Sequence, residues 1–185
     1  MRKFVSMLAA ATFAVTALTG AAYAKNPMVG GAAMYANKNI VQNAMNSKDH
    51  TTLVAAVKAA GLVDTLSGKG PFTVFAPTNE AFAALPPGTV ETLLKPENKA
   101  KLTKILTCHV VAADVMSDAI AKMIAKDGGS HSVKMVGGCM LKAMMKGDKI
   151  TLTDEKGGVA TVTIADVKQS NGVIHVIDKV LLPAS

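Results

Sequence analysis

The chain has 185 residues, of which 20 are basic and 13 acidic, and 50% are hydrophobic. Its lysines are scattered rather than clustered, which indicates a solvated surface and argues against a nucleic-acid partner. This length is sufficient for one domain with a buried core.

Residues 1–24 have the pattern of a secretory signal peptide. Arg2 and Lys3 provide a positive start, an apolar stretch follows, and residues 22–24 match an A-x-A cleavage site. We therefore predict export, either to the periplasm or as a secreted protein. No later apolar run has membrane-spanning length, so the mature chain is expected to lack a transmembrane segment. Residues 25–38 are rich in Gly, Ala and Asn, and we interpret them as a flexible lead-in.

Apolar residues at helical spacing predict that the domain begins near Asn39. A second helix is predicted to be capped by Asp49 and ended by Gly61. A longer helix over residues 97–108 places His109 on or next to its core-facing stripe. Shorter helical pieces are predicted over residues 62–66 and 89–94, and from Ser117 or Asp118.

Residues 70–86 combine a strand, a turn and a helix in a short stretch. The run from Phe72 to Phe75 contains aromatic and β-branched residues, which favour a strand. Pro77 stops this strand, and Thr78 is predicted to cap a helix that carries Phe82 on its buried face. We interpret this stretch as the core-forming unit.

After residue 129 the apolar period changes from 3.6 to 2, which is typical of antiparallel strands. The last run, residues 172–182, is apolar on both faces, as expected of a central strand. Helices followed by strands predict an α+β fold in one domain. The other predicted strands are residues 133–136, 140–144, 149–153 and 159–167.

Two cysteines, Cys108 and Cys139, occur in the chain. Because an exported protein can form disulfides, we hypothesise a bridge between them; two free thiols are the alternative. Cys139 with Met140, Met144 and Met145 forms a possible Cu(I) site, since that ion prefers sulfur ligands. In a strand, however, Met145 points away from the other two methionines, and methionine also fills irregular cores. The packing interpretation is therefore favoured, with no metal site.

The sequence lacks the common nucleotide-binding, metalloprotease and serine-hydrolase motifs. Its histidines are widely spaced, and His109 and His175 are interpreted as hydrogen-bonded core residues. Asp178, within an apolar run, is either a buried carboxylate with a shifted pKa or an acceptor for a nearby backbone donor, and the second interpretation is favoured. We therefore expect no enzyme activity and no cofactor.

Two segments resemble the signatures of fasciclin domains (FAS1, beta-Ig-H3). Residues 72–82 resemble the first signature, and residues 171–183 resemble the second. Residues 106–111 resemble the central Tyr-His motif of the family, with Cys108 in place of the tyrosine. The resemblance extends over residues 39–183. Its signature residues here are Phe72, Phe75, Pro77, Thr78, Asn79, Phe82, Asn171, Gly172, His175 and Asp178.

The resemblance implies two small β-sheets packed at an angle, with flanking N-terminal and central helices. It also implies a non-catalytic adhesion or surface-attachment module whose partner is a cell-surface or matrix protein or a glycan. In animal relatives, some positions of this domain are implicated in integrin recognition. The resemblance matches these positions to His109, Asp166 and Val167, which are therefore candidate binding residues. A periplasmic protein that binds a small ligand or copper is the alternative. Separately, the helix stripe predicts that the His109 imidazole hydrogen-bonds backbone near the Pro77–Thr78 turn.

Overall fold

The computed structural model describes residues 26–184, with helices mainly before residue 127 and strands mainly after it. The predicted signal peptide, residues 1–24, lies outside the described residues. The helices are α1 (Ile40–Asn46), α2 (Thr51–Ala60), α3 (Val63–Ser67), α4 (Asn79–Ala83), α5 (Thr89–Leu93), α6 (Lys99–Thr107) and α7 (Ser117–Lys126). The strands are β1 (Met28–Val29), β2 (Ala32–Ala33), β3 (Phe72–Pro77), β4 (Val110–Val111), β5 (Ser130–Lys134), β6 (Met140–Lys146), β7 (Lys149–Thr153), β8 (Val159–Gln169) and β9 (Gly172–Ile177).

Strand β8 is shared by two parts of a sheet with the order β4-β3-β9-β8-β7-β6-β5. Residues 159–161 of this strand pair with β7, and residues 162–169 pair with β9. The register shifts twice between Val162 and Val167, and such irregularities bend a strand. The sheet therefore has two parts that meet at β8, and with the flanking helices this confirms the predicted α+β architecture.

The centre of the sheet is the parallel pair β3–β9. Phe72 lies opposite Gly172, and Pro77 lies opposite Ile177. Strand β9 is flanked by β3 and β8, as its two apolar faces predict, although it ends at Ile177 rather than at residue 182. The two segments that resemble family signatures are therefore neighbours in the sheet.

The phenylalanine-rich unit folds as predicted. Strand β3 ends at Pro77, and the Thr78 hydroxyl accepts a hydrogen bond from the Ala81 N–H at 3.3 Å. This contact caps α4, because the first N–H groups of a helix have no partner within the helix. The side chain of Phe82 on α4 is buried.

Two clusters of buried apolar side chains form the core. Helices α1, α2 and α6 contribute to the first, which includes Leu53, Leu102 and Ile174. Helix α7 and the β6–β7 part of the sheet contribute to the second, which includes Ile120 and Leu152. Strand β9 has residues in both clusters, so it connects them.

A disulfide joins Cys108, at the end of α6, to Cys139, just before β6. Both cysteines are buried, and their Cα atoms are 5.5 Å apart. The hypothesised bridge is therefore confirmed. Closing a loop of this size stabilises a protein by about 3–4 kcal/mol on the chain-entropy model.

Residues 26–38 contain a short hairpin that the sequence did not indicate. Strands β1 and β2 pair through a turn in which Gly30 and Gly31 have φ values of 57° and 74°. Val29 and Met34 are buried in the first core cluster. Two-residue strands are too short to display an alternating pattern, which explains why sequence analysis found none here.

The expected cap of the second helix was wrong. Asp49 lies in a 3-10 turn, Lys48–His50, and does not cap α2. The side chain of Asn79 takes this role, because its oxygen accepts the Thr52 N–H at 3.1 Å and its amide donates to the Lys48 carbonyl at 2.7 Å. A cap supplied from a distant segment leaves no local signal.

Gly172 is required for the close approach of β3 and β9. Its φ is 151°, and a Cβ atom there would lie 1.9 Å from the Phe72 carbonyl oxygen. We predict that Gly172→Ala lowers the free energy of unfolding by about 3 kcal/mol or more, because overpacking adds to backbone strain. Urea denaturation measures this change.

Gly157→Ala is the matched control. Gly157 also has a positive φ, 82°, but a Cβ atom there meets nothing within 4 Å. Its loss should therefore be limited to the strain of about 1–2 kcal/mol for an L-residue in this region. Equal losses for the two variants would contradict the role assigned to Gly172.

Candidate functional site

Asp166 is the candidate binding residue that reaches the surface, with 33% of its side chain exposed. It lies within the register shift of β8 at a φ of 59°, a conformation that Asp tolerates better than most residues. Its carboxylate accepts hydrogen bonds from the Ser117 backbone N–H, at 2.7 Å, and from the Ser117 hydroxyl. Ser117 is the first residue of α7, so Asp166 caps that helix from the sheet.

His175 is fully buried behind Asp166. Its Nδ1 accepts the Asp166 backbone N–H at 3.2 Å, and its Nε2 donates to the Val115 carbonyl at 2.8 Å. Its ring stacks on Phe75, with centroids 5.5 Å apart. Burial lowers the pKa of His175, more than the Val115 carbonyl and the nearby Asp166 carboxylate raise it. The imidazole is therefore neutral and structural, as the sequence analysis expected.

His109 is also buried, with 2% of its surface exposed. Its Nδ1 donates to the Ile105 carbonyl at 2.8 Å, and its Nε2 accepts the Leu181 N–H at 2.9 Å. Burial lowers its pKa to about 4, against the opposing effect of the Ile105 carbonyl. The predicted contact with the Pro77–Thr78 turn is wrong: the ring holds the C-terminal segment instead. Both ring nitrogens are used within the fold.

Val167, the third candidate, is completely buried in the first core cluster. A chain of contacts nevertheless links the candidate residues. The His109 carbonyl accepts the Phe75 N–H at 2.9 Å, Phe75 stacks on His175, and His175 contacts Asp166. The structure thus brings His109 and Asp166 into one framework, but it does not present the three side chains together at a surface.

Asn171, a buried residue just before β9, makes three side-chain hydrogen bonds. Its oxygen accepts the Ile40 N–H at 3.0 Å, and its amide donates to the Leu66 and Gly68 carbonyls, both at 2.8 Å. It therefore joins α1 and the end of α3 to the sheet. This signature residue has a structural role.

Asp178 is exposed, and its carboxylate accepts the Thr161 N–H at 2.7 Å. This contact confirms the favoured interpretation of Asp178 as a backbone acceptor. A related residue, Asp154, was not predicted from the sequence and is buried. The Asp154 carboxylate accepts N–H groups from Lys156 and Gly158 in its own turn and from Leu182 at 2.9 Å. An Asp four residues before a Gly in a β-turn could have indicated the local contacts, but not the one to Leu182.

The proposed copper ligands do not form a sulfur site in this structure. Cys139 is bonded to Cys108, so it cannot supply the thiolate that this hypothesis includes. Met140 and Met144 share one face of β6, as predicted, but Met140, Met144 and Met145 are all at least 38% exposed, so the favoured interpretation that they fill the core was wrong. Within residues 26–184, no group of three or more His, Cys, Asp and Glu side chains is arranged to hold a metal ion.

The helices within residues 26–184 include none long and apolar enough to cross a membrane.

Comparison with known proteins gives a family match over most of the chain. The model of the Fasciclin domain matches residues 48–183. Protein sll1483 from Synechocystis sp. is 48% identical over 188 residues, which cover 95% of this chain and 97% of that protein. Transforming growth factor-beta-induced protein ig-h3 from Sus scrofa is 39% identical over 131 residues, which cover 71% of this chain and 17% of that protein.

A solved structure has a similar fold. It is a FAS1 domain pair from the insect cell adhesion molecule Fasciclin I, with a TM-score of 0.69 and 18% sequence identity. The match covers 78% of this chain and 51% of the solved chain, so this protein spans about half of that structure.

The buried histidines predict a pH dependence of stability. The pKa of His109 is about 4 in the folded state, below its ordinary value of 6.5. Between these two pH values the unfolded state therefore binds more protons than the folded state. The contribution of the neutral His109 ring to the free energy of unfolding is fully present above pH 6.5 and is lost as the pH falls toward 4. We expect His109 to contribute a loss of up to about 3 kcal/mol over this range.

Urea denaturation between pH 7 and pH 4 tests this prediction. His109→Gln should be less stable at pH 7 by about 1–3 kcal/mol, because the buried Leu181 N–H and Ile105 carbonyl lose well-placed partners. It should also have a flatter pH dependence than the unsubstituted protein. Parallel curves for the two proteins would contradict the assignment of this slope to His109.

Asp166 is predicted to stabilise the fold through α7. Asp166→Ala should lower the free energy of unfolding by about 2 kcal/mol, since it removes a charged acceptor from the helix N-terminus. Asp166→Asn should lose roughly half of that, because it keeps an acceptor oxygen and tolerates the positive φ. The exposed Asp114 provides the control. Asp114→Ala should change the free energy of unfolding by no more than about 0.5 kcal/mol. Unchanged stability of Asp166→Ala, measured by urea denaturation, would refute the capping role.

Proposed function

This chain belongs to the fasciclin domain family, and from that premise we propose that it is an exported, non-catalytic module for adhesion or surface attachment. The observation that supports this proposal most strongly is the family match over residues 48–183. The fold shared with a domain pair from an insect cell adhesion molecule supports the same proposal. The partner is a cell-surface or matrix protein or a glycan.

The hydrogen bonds that the polar candidate residues make within the fold favour a binding module over an enzyme. Asp166 caps a helix, and the imidazoles of His109 and His175 each join two backbone segments. A general acid or base must reach a substrate proton, whereas these groups are engaged within the fold. A partner would therefore contact side chains outside this framework.

We assign the contact to the outer face of the β5–β8 part of the sheet. Met140, Lys142 and Met144 point outward from β6, while the alternating Leu141 and Ala143 are buried. Residues that are paired across neighbouring strands point to the same side of a sheet, so the partners of these three residues on β5 and β7, and the partners of those on β8, belong to the same face. We define the outer sheet face as Ser130, Ser132, Lys134, Met140, Lys142, Met144, Thr151, Thr153, Val159 and Thr161.

The chemistry of the outer sheet face suits attachment to an extended partner. Its two methionines and Val159 are at least 39% exposed, and exposed apolar patches commonly mark interaction sites. Hydroxyl groups and two lysines surround them, and none of the ten residues is acidic. An acidic partner with a flat surface fits this combination.

We predict that reversing the two lysine charges of this face reduces attachment. A deletion strain that expresses Lys134→Glu/Lys142→Glu should attach to surfaces less than one that expresses the unchanged protein, and near the level of the deletion strain. The reason is charge repulsion from a partner that the two lysines attract. Quantitative staining of attached cells measures the effect, and thermal unfolding of the purified variant verifies its fold.

Lys58→Glu/Lys69→Glu is the matched control, because it makes the same charge change on exposed side chains of α2 and of the loop before β3, which are not part of β5–β8. It should attach like the unchanged protein. Copper sensitivity, scored in parallel, tests the alternative function. A deletion strain with a copper phenotype and normal attachment would refute the attachment proposal.

A further inference from the structure

A groove runs between α5, α6 and the C-terminal segment. Its volume is about 330 Å³, and a second hollow of about 340 Å³ adjoins it and shares Thr89, Leu93 and Lys101. These volumes lie within the range of small-molecule sites, roughly 300–1,000 Å³. The apolar wall consists of Leu85, Pro86, Leu93, Ile105, Leu182 and Pro183.

One wall of the groove is held in place by hydrogen bonds. The backbone N–H of Leu181 donates to His109, that of Leu182 to Asp154, and that of Ala184 to Glu155 at 2.8 Å. The C-terminal segment is thus fixed before any ligand arrives. A preformed site spends less binding free energy on ordering than a flexible one.

The rim of the groove is positively charged. Lys101, Lys104 and Lys156 line it, and all three are exposed. The carboxylate of Glu155 is close enough to Lys104 to feel its charge, but its oxygens already accept the Ala184 and Met140 N–H groups. Apolar surface and cationic charge are therefore combined in one concave site.

We propose that this groove binds a free, single-chain anionic amphiphile, namely a medium-chain fatty acid. The acyl chain lies against the apolar wall, and the carboxylate lies among the three lysines. Apolar contact provides the affinity, and the lysines select the negative head group. This ligand site is additional to the attachment function and does not depend on it.

Charge and polarity favour this occupant over others. The 25 residues that precede the described part of the chain contain no acidic side chain, so they do not match the rim. A second copy carries a net charge of +7 and is repelled. An acidic peptide would bring backbone N–H and C=O groups onto an apolar wall, which costs free energy unless they find partners. An acyl chain carries no such groups.

Calorimetric titration of the full chain with dodecanoate, below its micellar concentration, tests the proposal. We expect saturable binding of about one dodecanoate per chain, and dodecanol should bind about tenfold more weakly, because it lacks the charge that the lysines attract. Equal affinities for the acid and the alcohol, or no binding of dodecanoate, would overturn the proposal.

Variants assign the binding to the groove. Lys104→Glu/Lys156→Glu should weaken dodecanoate about tenfold or more, whereas Lys134→Glu/Lys142→Glu on the outer sheet face should leave it unchanged. Leu182→Trp, which fills the groove with an indole, should weaken both dodecanoate and dodecanol. Thermal unfolding confirms that each variant is folded.

Two further probes separate other anionic partners. Anionic lipid vesicles and poly-glutamate are titrated under the same conditions. If either binds in a manner that depends on Lys104 and Lys156 while dodecanoate does not bind, the groove is a membrane or acidic-chain site and the fatty-acid proposal is overturned. Equal effects of the two lysine pairs on dodecanoate would also overturn it, because the effect would then come from net charge.

Discussion

The parallel pairing of β3 with β9 is the contact on which the rest of the domain depends. It joins segments about 100 positions apart in the sequence and places Phe75 against His175. Strand β9 contributes Ile174 to one core cluster and Ile177 to the other, so a displaced β9 would open both. The absence of a side chain at Gly172 permits the close approach, and Asn171 ties the same end of the strand to α1 and α3. Packing and backbone pairing therefore stabilise each other at this position.

The buried histidines extend this framework by joining backbone segments that the sheet does not connect. A neutral imidazole has one donor and one acceptor, so it satisfies a carbonyl and an N–H group at the same time. His109 does this for Ile105 and Leu181, and His175 does it for Val115 and Asp166. Burial keeps both rings neutral by lowering their pKa values. The same property that makes these residues good connectors makes the fold sensitive to acid, because protonation removes the acceptor.

The parts of the fold that follow from local pattern could be predicted from the sequence. The unit from Phe72 to Phe82 and the central position of β9 are examples, since turn residues and apolar periodicity lie within each segment. The cap that Asn79 gives to α2, the contact from Asp154 to Leu182 and the ring contacts of His109 depend on segments distant in the chain. Their signals are single polar residues, and sequence pattern does not identify their partners. The groove was not predicted for the same reason: its lysines and its apolar wall come from separate elements.

The residues that identify the family and those that contact a partner have different physical requirements. A buried polar group must form its hydrogen bonds within the fold, and Asn171 and His175 do so with backbone groups of neighbouring segments. Such residues cannot change without loss of stability, and they cannot also be offered to a ligand. The outer sheet face and the groove rim carry exposed Met and Lys side chains, which can be exchanged with little effect on the contacts inside the fold. Partner choice in this fold is therefore set by surface residues that the framework supports but does not determine, and two such surfaces can serve two different ligands.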